Sequence, residues 1–318
     1  MNIESDNTVQ NQSGVGLGVQ DAMTKLGKHQ AGLVLLWALS LLAGWRPLVD
    51  TFALSLHDEA YTHILLILPI SAALIFLEWQ FLRTMFTPSL RTGSAFLAAA
   101  VLIACSALVW SASLPSDGQL SIRMFALVLW WIGAFVLCLG SQASRAALFP
   151  LLFLFGLVPF PQVVLNWIVA LLQQGSTWSA RMLFVAFGVS VAQDGFYLTI
   201  PGLTVQVAYE CSSIRSSSML LVTTMVLAQL LLRSCWRKTF LICLAVPLSV
   251  AKNGLRVFSI AMLATRVDPG YMTGRFHHQG GIIFFAIALI AIFMLLWILR
   301  RGEGSSLASV PTPEVSQG

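Results

Sequence analysis

Three residues in the second half of this 318-residue chain have side chains suited to acyl-transfer chemistry: Cys211, Arg256 and His277. Cys211 lies in Tyr-Glu-Cys-Ser-Ser-Ile-Arg, where a polar stretch turns into an apolar helix. A helix N-terminus and a nearby cation stabilise a thiolate, the form of cysteine that attacks carbonyl carbon. Arg215 supplies such a charge four residues later, and Ser212 adjoins the thiol. The pattern indicates a nucleophile, with plain packing of a small side chain as the alternative.

Arg256 stands in the apolar stretch Ala-Lys-Asn-Gly-Leu-Arg-Val-Phe, where an arginine is costly unless it has a role or reaches the lipid headgroups. Asn253, three residues earlier on the same helical face, can hold the guanidinium by a hydrogen bond. A fixed guanidinium suits the oxyanion that forms when a thiolate attacks an amide. His277 or His278 can protonate the departing amine and then deprotonate the incoming nucleophile, although paired histidines also occur at membrane surfaces without a role.

The composition places these residues in a membrane protein. Hydrophobic residues make up 57% of the chain, charged residues only 10%, and the mean hydropathy is +0.82. Soluble domains have about 25% charged residues, so a water-soluble globular fold is excluded. Apolar runs long enough to cross about 30 Å of hydrocarbon recur along the chain. They predict an all-α polytopic bundle with spans near 31–49, 62–79, 93–113, 123–141, 145–160, 211–232, 238–263 and 279–299.

Polar segments flank this membrane domain, for which residues 31–299 are the predicted bounds. Residues 1–30 and the tail 300–318 are predicted to be disordered and cytoplasmic, since they are rich in Ser, Gln and Gly. The positive-inside rule favours cytoplasmic N- and C-termini. That orientation places these basic residues in the cytoplasm: Lys25, Lys28, Arg83, Arg91, Arg145, Arg233, Arg237, Lys238, Arg300 and Arg301. Because the basic residues lie mainly at positions that flank the membrane, no nucleic-acid partner is expected.

The same topology puts the three chemical groups at one level of the membrane. Cys211 opens span six at its outer end, and His277 and His278 stand at the outer entrance to span eight. Span seven begins inside near Lys238, so Arg256 lies about 27 Å further along at 1.5 Å per residue. His63, at the outer start of span two, shares that level, although packing is its simpler role.

The longest connection, residues 161–210, precedes Cys211 and is not polar enough for a plain loop. Residues 162–189 have the pattern of an interfacial or re-entrant amphipathic helix. Asp194-Gly195 between alternating segments then indicates a turn in a small β-hairpin. Such a ribbon could bind an extended peptide by strand addition, or it could be a rigid connector.

Taken in order, these motifs resemble those of the exosortases and archaeosortases, polytopic membrane transpeptidases. Cys211-Ser-Ser-Ile-Arg215 is similar to the family's Cys-Ser-Gly-x-Arg block, and Asn253-Gly-Leu-Arg256 to its Asn-x-x-Arg block. His277, four residues before Gly281, matches the family histidine better than His278 does. An early Tyr61-Thr-His63 element and Pro159-Phe-Pro161 extend the resemblance over most of residues 50–299. Serine at position 213 departs from the usual glycine beside the nucleophile.

The resemblance implies a bacterial inner-membrane enzyme with its active site on the extracytoplasmic face. Its partner would be the C-terminal sorting signal of a secreted protein, of Pro-Glu-Pro type, followed by an apolar helix in the lipid. Cys211 would form a thioester, Arg256 would bind the oxyanion, His277 would act as acid and base, and an unidentified amine would accept the product. No cofactor or metal is expected, because the five cysteines include no CxxC pair. A transporter or export channel and a non-catalytic scaffold for surface-polymer assembly remain the alternative classes.

Overall fold

A computed structural model describes residues 31–85, 87–110, 113–207, 214–268, 270 and 281–307. The predicted segment 1–30 and the last part of the predicted tail lie outside these ranges. Within them, six helices are long and apolar enough to cross a membrane, and two pairs of shorter helices pass the same test together, giving up to eight spans. The predicted all-α polytopic bundle with a small β element is confirmed. The chain divides into two units, Met1–Gln162 and Val163–Gly318.

The described part of the first unit is mainly helical. A single bent pair and three long helices account for most of it, and short helical turns fill the connections. Its elements are α1 (Ala31–Ala43), α2 (Trp45–His57), a 3-10 turn (Glu59–Tyr61), α3 (Ile64–Thr84), α4 (Leu90–Val109), α5 (Ser116–Leu139), α6 (Ser141–Ala146), α7 (Leu148–Phe153) and a second 3-10 turn (Leu154–Leu157).

Glycines bring α4 and α5 into direct backbone contact. A Cβ on Gly93 of α4 would lie 2.6 Å from the backbone nitrogen of Leu137, and one on Gly133 of α5 would lie 2.9 Å from Cβ of Phe96. Lipid tails are as apolar as leucine, so membrane helices associate through close packing at such small residues. This contact makes α5 the buried centre of the first unit.

The prediction of residues 31–49 as one continuous span is wrong. α1 ends at Ala43 and α2 continues to His57, with a bend of 72° between them. Gly44 lies at the break, where a Cβ would come within 2.9 Å of the Leu127 side chain on α5. The chain at the bend is therefore in close contact with α5, a tertiary contact that hydropathy does not reveal.

The Pro-Phe-Pro segment ends the second 3-10 turn, as expected of a helix breaker. Two side chains satisfy the carbonyls that the break leaves without helical partners. The Tyr61 hydroxyl donates to the Phe160 carbonyl at 2.8 Å, and Ser121 Oγ donates to the Pro159 carbonyl at 2.7 Å. Polar backbone away from water needs such partners, so these bonds fix the position of the break.

The described part of the second unit combines four helices with a small sheet. The predicted amphipathic segment forms one 25-residue helix. The elements are α8 (Gln162–Ala186), β1 (Ala192–Asp194), β2 (Tyr197–Ile200), β3 (Leu203–Gln206), α9 (Ile214–Leu231), α10 (Cys235–Arg266) and α11 (Gly281–Leu307).

The sheet is antiparallel, in the order β1-β2-β3. The predicted hairpin between β1 and β2 is present, but its turn is Gly195-Phe196, because Asp194 belongs to β1 and pairs with Tyr197. Pro201-Gly202 joins β2 to β3, with Gly202 at φ +84°. Proline followed by a left-handed glycine is the signature of a type II turn. The buried face of the sheet packs on α8 and α10 through Ala180, Phe184, Leu198, Ile200, Val205, Val207, Val257, Phe258 and Ala261.

A second apolar core joins α9, α10 and α11. At one end of these helices the Glu303 carboxylate accepts hydrogen bonds from the backbone amides of Arg233 and Ser234, which form the turn between α9 and α10. Arg237 donates to the Leu299 carbonyl at 2.7 Å. α11 continues to Leu307, past the predicted span end at residue 299.

Candidate active site

The helices α9 and α10 form an antiparallel hairpin that sets the register of the site. Near the turn, Lys238 Nζ donates to Gln229 Oε1 at 2.8 Å. At the other end, Ser249 Oγ donates to Ser217 Oγ at 2.5 Å. Residue numbers thus rise along α10 as they fall along α9. Residues before Ser217 on α9 therefore lie beside residues after Ser249 on α10.

Lys252 continues this register and is a buried charged residue that was not among the predicted site residues. Its side chain is 5% exposed, and its Nζ donates to Ser216 Oγ in the first turn of α9. On its other side, Lys252 borders an open groove of about 520 Å³ whose wall includes Met182, Leu248 and Ala288. The hydroxyl of Ser216 is therefore a polar partner of Lys252 on the α9 side, while the groove is lined mostly by apolar side chains. A lysine in an apolar run was the available signal, but its partner is 36 residues away.

This pair gives a testable coupling. Ser216→Ala is expected to lower the free energy of unfolding by about 1–3 kcal/mol, because it removes an acceptor from a buried ammonium group. In a Lys252→Met background the same serine change is expected to cost little. Thermal unfolding in detergent measures both values, with Ser218→Ala as the control on the same turn. Equal costs in the two backgrounds would show that the hydrogen bond contributes nothing.

Asn253 and Arg256, the predicted pair, lie on the unbroken helix α10. Asn253 is 1% exposed, whereas Arg256 is half-buried. A buried amide of this kind requires polar partners, which makes it a fixed point of the helix interior. Arg215 is the exposed second residue of α9 and lies at the same end of the hairpin as Ser216. Hence three of the predicted residues and Lys252 belong to one end of one helical hairpin.

Gly254, between Asn253 and Arg256, lets α8 approach α10 at this level. A Cβ at this position would overlap the Ser179 side chain and lie 2.9 Å from the backbone nitrogen of Ala180. One turn earlier, a Cβ on Gly175 of α8 would lie 3.0 Å from Val250. The backbone that carries Arg256 is therefore held against α8 by direct contact.

The contact predicts a large effect for a small change. Gly254→Ala is expected to destabilise the protein by about 1–3 kcal/mol, since the added methyl group has no free space. Ser179→Gly in the same chain should restore part of that loss. Denaturant titration in detergent measures the difference. Gly118→Ala is the control, because a Cβ there meets no heavy atom within 4 Å; an equal loss at both sites would contradict the packing argument.

The chain that leads into the predicted nucleophile is anchored at Val207. This residue is fully buried; its amide donates to the Phe196 carbonyl at 2.9 Å, and its carbonyl accepts from Gln173 Nε2 at 3.0 Å. The segment that follows thus starts from a fixed point beside α8 and is continued by α9 at Ile214.

Four predicted site residues, Cys211, Ser212, His277 and His278, lie outside the described residues, as does Ser213. His63 belongs to the first unit, where it precedes α3. The expectation that His63 shares the level of the site stays a prediction.

The fold defines the class of protein. It is a multi-pass α-helical membrane protein in which Lys252, Asn253 and Arg256 lie on one apolar helix. The family of transmembrane exosortases (Exosortase_EpsH) matches residues 45–294. The chain therefore belongs to that family and is a membrane transpeptidase of the exosortase type, as the motifs predicted. Neither a curated protein nor a solved structure matches it.

Proposed function

We propose that this exosortase is a cysteine transpeptidase that removes the C-terminal sorting signal of secreted proteins. The register of the α9–α10 hairpin is the observation that carries the proposal. Lys252 bonds to Ser216; Arg256 is four residues beyond Lys252, and Cys211 is five residues before Ser216, toward the same end of the hairpin. The step from Lys252 to Arg256 corresponds to about 6 Å of helical rise, and Cys211 precedes Ile214, the first residue of α9, by three positions in the sequence. The register thus supports a shared level for Cys211 and Arg256.

The reaction follows from the chemistry of these groups. The Cys211 thiolate attacks the scissile carbonyl, and the carbonyl π electrons move to the oxygen as an oxyanion. The Arg256 guanidinium, held by the α8–α10 contact, donates hydrogen bonds to that oxyanion. The oxyanion collapses to a thioester and expels the amine of the C-terminal fragment, which takes a proton from His277. An acceptor amine then loses a proton to His277, attacks the thioester and returns the thiolate.

Lys252 supports the charge balance of this scheme. It lies one turn from Arg256 on the same helix, and its Nζ points to Ser216 in the first turn of α9. Cations near a helix N-terminus that carries a thiol favour the thiolate over the thiol. Lys252 and Arg215 therefore stabilise the attacking form of Cys211, while Arg256 is left for the oxyanion.

The location of the substrate follows from the membrane topology. The basic residues favour a site on the extracytoplasmic face of the bacterial inner membrane. A secreted protein held in the lipid by a C-terminal apolar helix presents the residues before that helix at this face. A motif of Pro-Glu-Pro type is the proposed recognition element, and a surface-polymer amine is the proposed acceptor.

Co-expression tests the proposal against the transporter and scaffold alternatives. A secreted substrate would carry one epitope before the motif and another after the apolar helix. We expect the wild-type chain to separate the two epitopes, while membranes without it leave them joined. Mass spectrometry of the new C-terminus would locate the cut and identify an attached amine. An intact substrate in both membranes would contradict the proposed function.

A further inference from the structure

The register of β2 and β3 determines which backbone groups of the sheet face outward. The Val207 amide donates to the Phe196 carbonyl, so this pair is hydrogen-bonded, and hydrogen-bonded pairs alternate along an antiparallel ladder. Because Leu198 pairs with Val205, these two residues also bond to each other. The two β3 residues between the bonded positions direct their N–H and C=O groups away from β2. Those residues are Thr204 and Gln206.

This outer edge of β3 is exposed. The side chains of Thr204 and Gln206 are both exposed, and within the described residues no other backbone group bonds to their N–H or C=O groups. β1 forms the opposite edge, where the same alternation leaves only Gln193 facing outward. A bare strand edge is a template for pairing with another extended chain. β3 therefore offers the longer template.

The inner face of β3 packs against the helix that carries Arg256. Val205 and Val207 are buried against Val257 and Phe258, the two residues that follow Arg256 on α10. The Gln173 bond to the Val207 carbonyl fixes the end of the strand. Gln206 precedes Cys211 by five residues on the same stretch of chain. A peptide that pairs with β3 thus binds to the strand that immediately precedes the nucleophile in the sequence.

We propose that the outer edge of β3 binds the sorting signal as an added strand, in the extended conformation that peptide cleavage requires. The inference rests on the proposed function and specifies how its substrate is held. Thr204 and Gln206 together offer two donors and two acceptors, enough to pair with a peptide of three or four residues. Only every second residue of the bound peptide faces β3, so recognition of its backbone has a period of two.

N-methylation of the substrate peptide tests this period without altering the enzyme. Each residue around the scissile bond would be methylated on its backbone nitrogen in turn, and kcat/KM measured with the purified full chain. We expect losses of about tenfold at alternate positions, where a hydrogen bond to β3 disappears, and smaller changes between them. Losses without alternation would overturn strand addition.

Proline substitutions give the matching test on the enzyme. Proline lacks an N–H and is tolerated at outward positions of edge strands. Thr204→Pro is expected to raise KM for the peptide about tenfold, whereas Gln193→Pro, at the outward position of β1, leaves it unchanged. An equal effect of the two changes would contradict the choice of β3. If the wild-type chain fails to cleave the unmodified peptide at all, the proposed function fails; if it cleaves with no alternation, only strand addition fails.

Discussion

Cys211→Ala is expected to lower the rate at which the substrate is separated from its C-terminal helix by at least about 10³-fold. Loss of a catalytic nucleophile removes the covalent pathway altogether, and the remaining groups supply only residual catalysis. Cys211→Ser is also expected to be inactive at neutral pH, since the hydroxyl is far less ionised than a thiol. Quantitative detection of both epitopes after co-expression measures the effect.

Two other cysteines provide the control for this result. Cys235 and Cys243 are exposed thiols on α10, in the part of the helix near its turn with α9. Their alanine variants should process the substrate at the wild-type rate. Processing by Cys211→Ala, or its loss in Cys235→Ala, would contradict the assignment of the nucleophile.

Arg256→Met lowers kcat by about 10²–10³-fold, the usual effect of removing an oxyanion donor. Methionine keeps the length and apolar character of the side-chain stem, so packing on α10 is preserved. Arg256→Lys should recover only part of the rate, because an ammonium group lacks the planar fork of a guanidinium. KM is expected to change little, since the oxyanion exists only in the transition state and intermediate.

Arg266→Gln is the control for the arginine change. Arg266 is exposed at the last residue of the same helix, and its loss should leave both kinetic constants unaltered. Steady-state kinetics with a peptide substrate separates kcat from KM. A rise in KM alone in Arg256→Met would assign Arg256 to ground-state binding instead of oxyanion stabilisation.

Hydropathy predicted the six long membrane helices and their order, because the cost of polar backbone and charge in lipid is a local property of each stretch. It did not predict the bends in the two pairs of shorter helices, such as the break at Gly44, which packs against Leu127 of a distant helix. Local turn chemistry predicted the β1–β2 hairpin from Asp194-Gly195. Pro201-Gly202 carried an equally readable type II signal, and it adds the third strand that the prediction lacked.

The candidate site was predictable to the extent that its residues are unusual for their surroundings. Arg256 and Asn253 stand out as polar groups in an apolar run, and the structure places both on one unbroken helix. The role of Lys252 was not predictable, since its hydrogen bond to Ser216 exists only after α9 and α10 pair. The importance of Gly254 was not predictable either, because it depends on the close approach of the Ser179 side chain.

The central claim is that Cys211 carries the substrate as a thioester. Purified enzyme would be mixed with substrate peptide, quenched with acid within one turnover, digested and analysed by mass spectrometry. We predict that the peptide containing Cys211 gains the mass of the N-terminal substrate fragment, and that neutral hydroxylamine removes it. Product formation with no such adduct on Cys211, or with the adduct on another residue, would contradict the account.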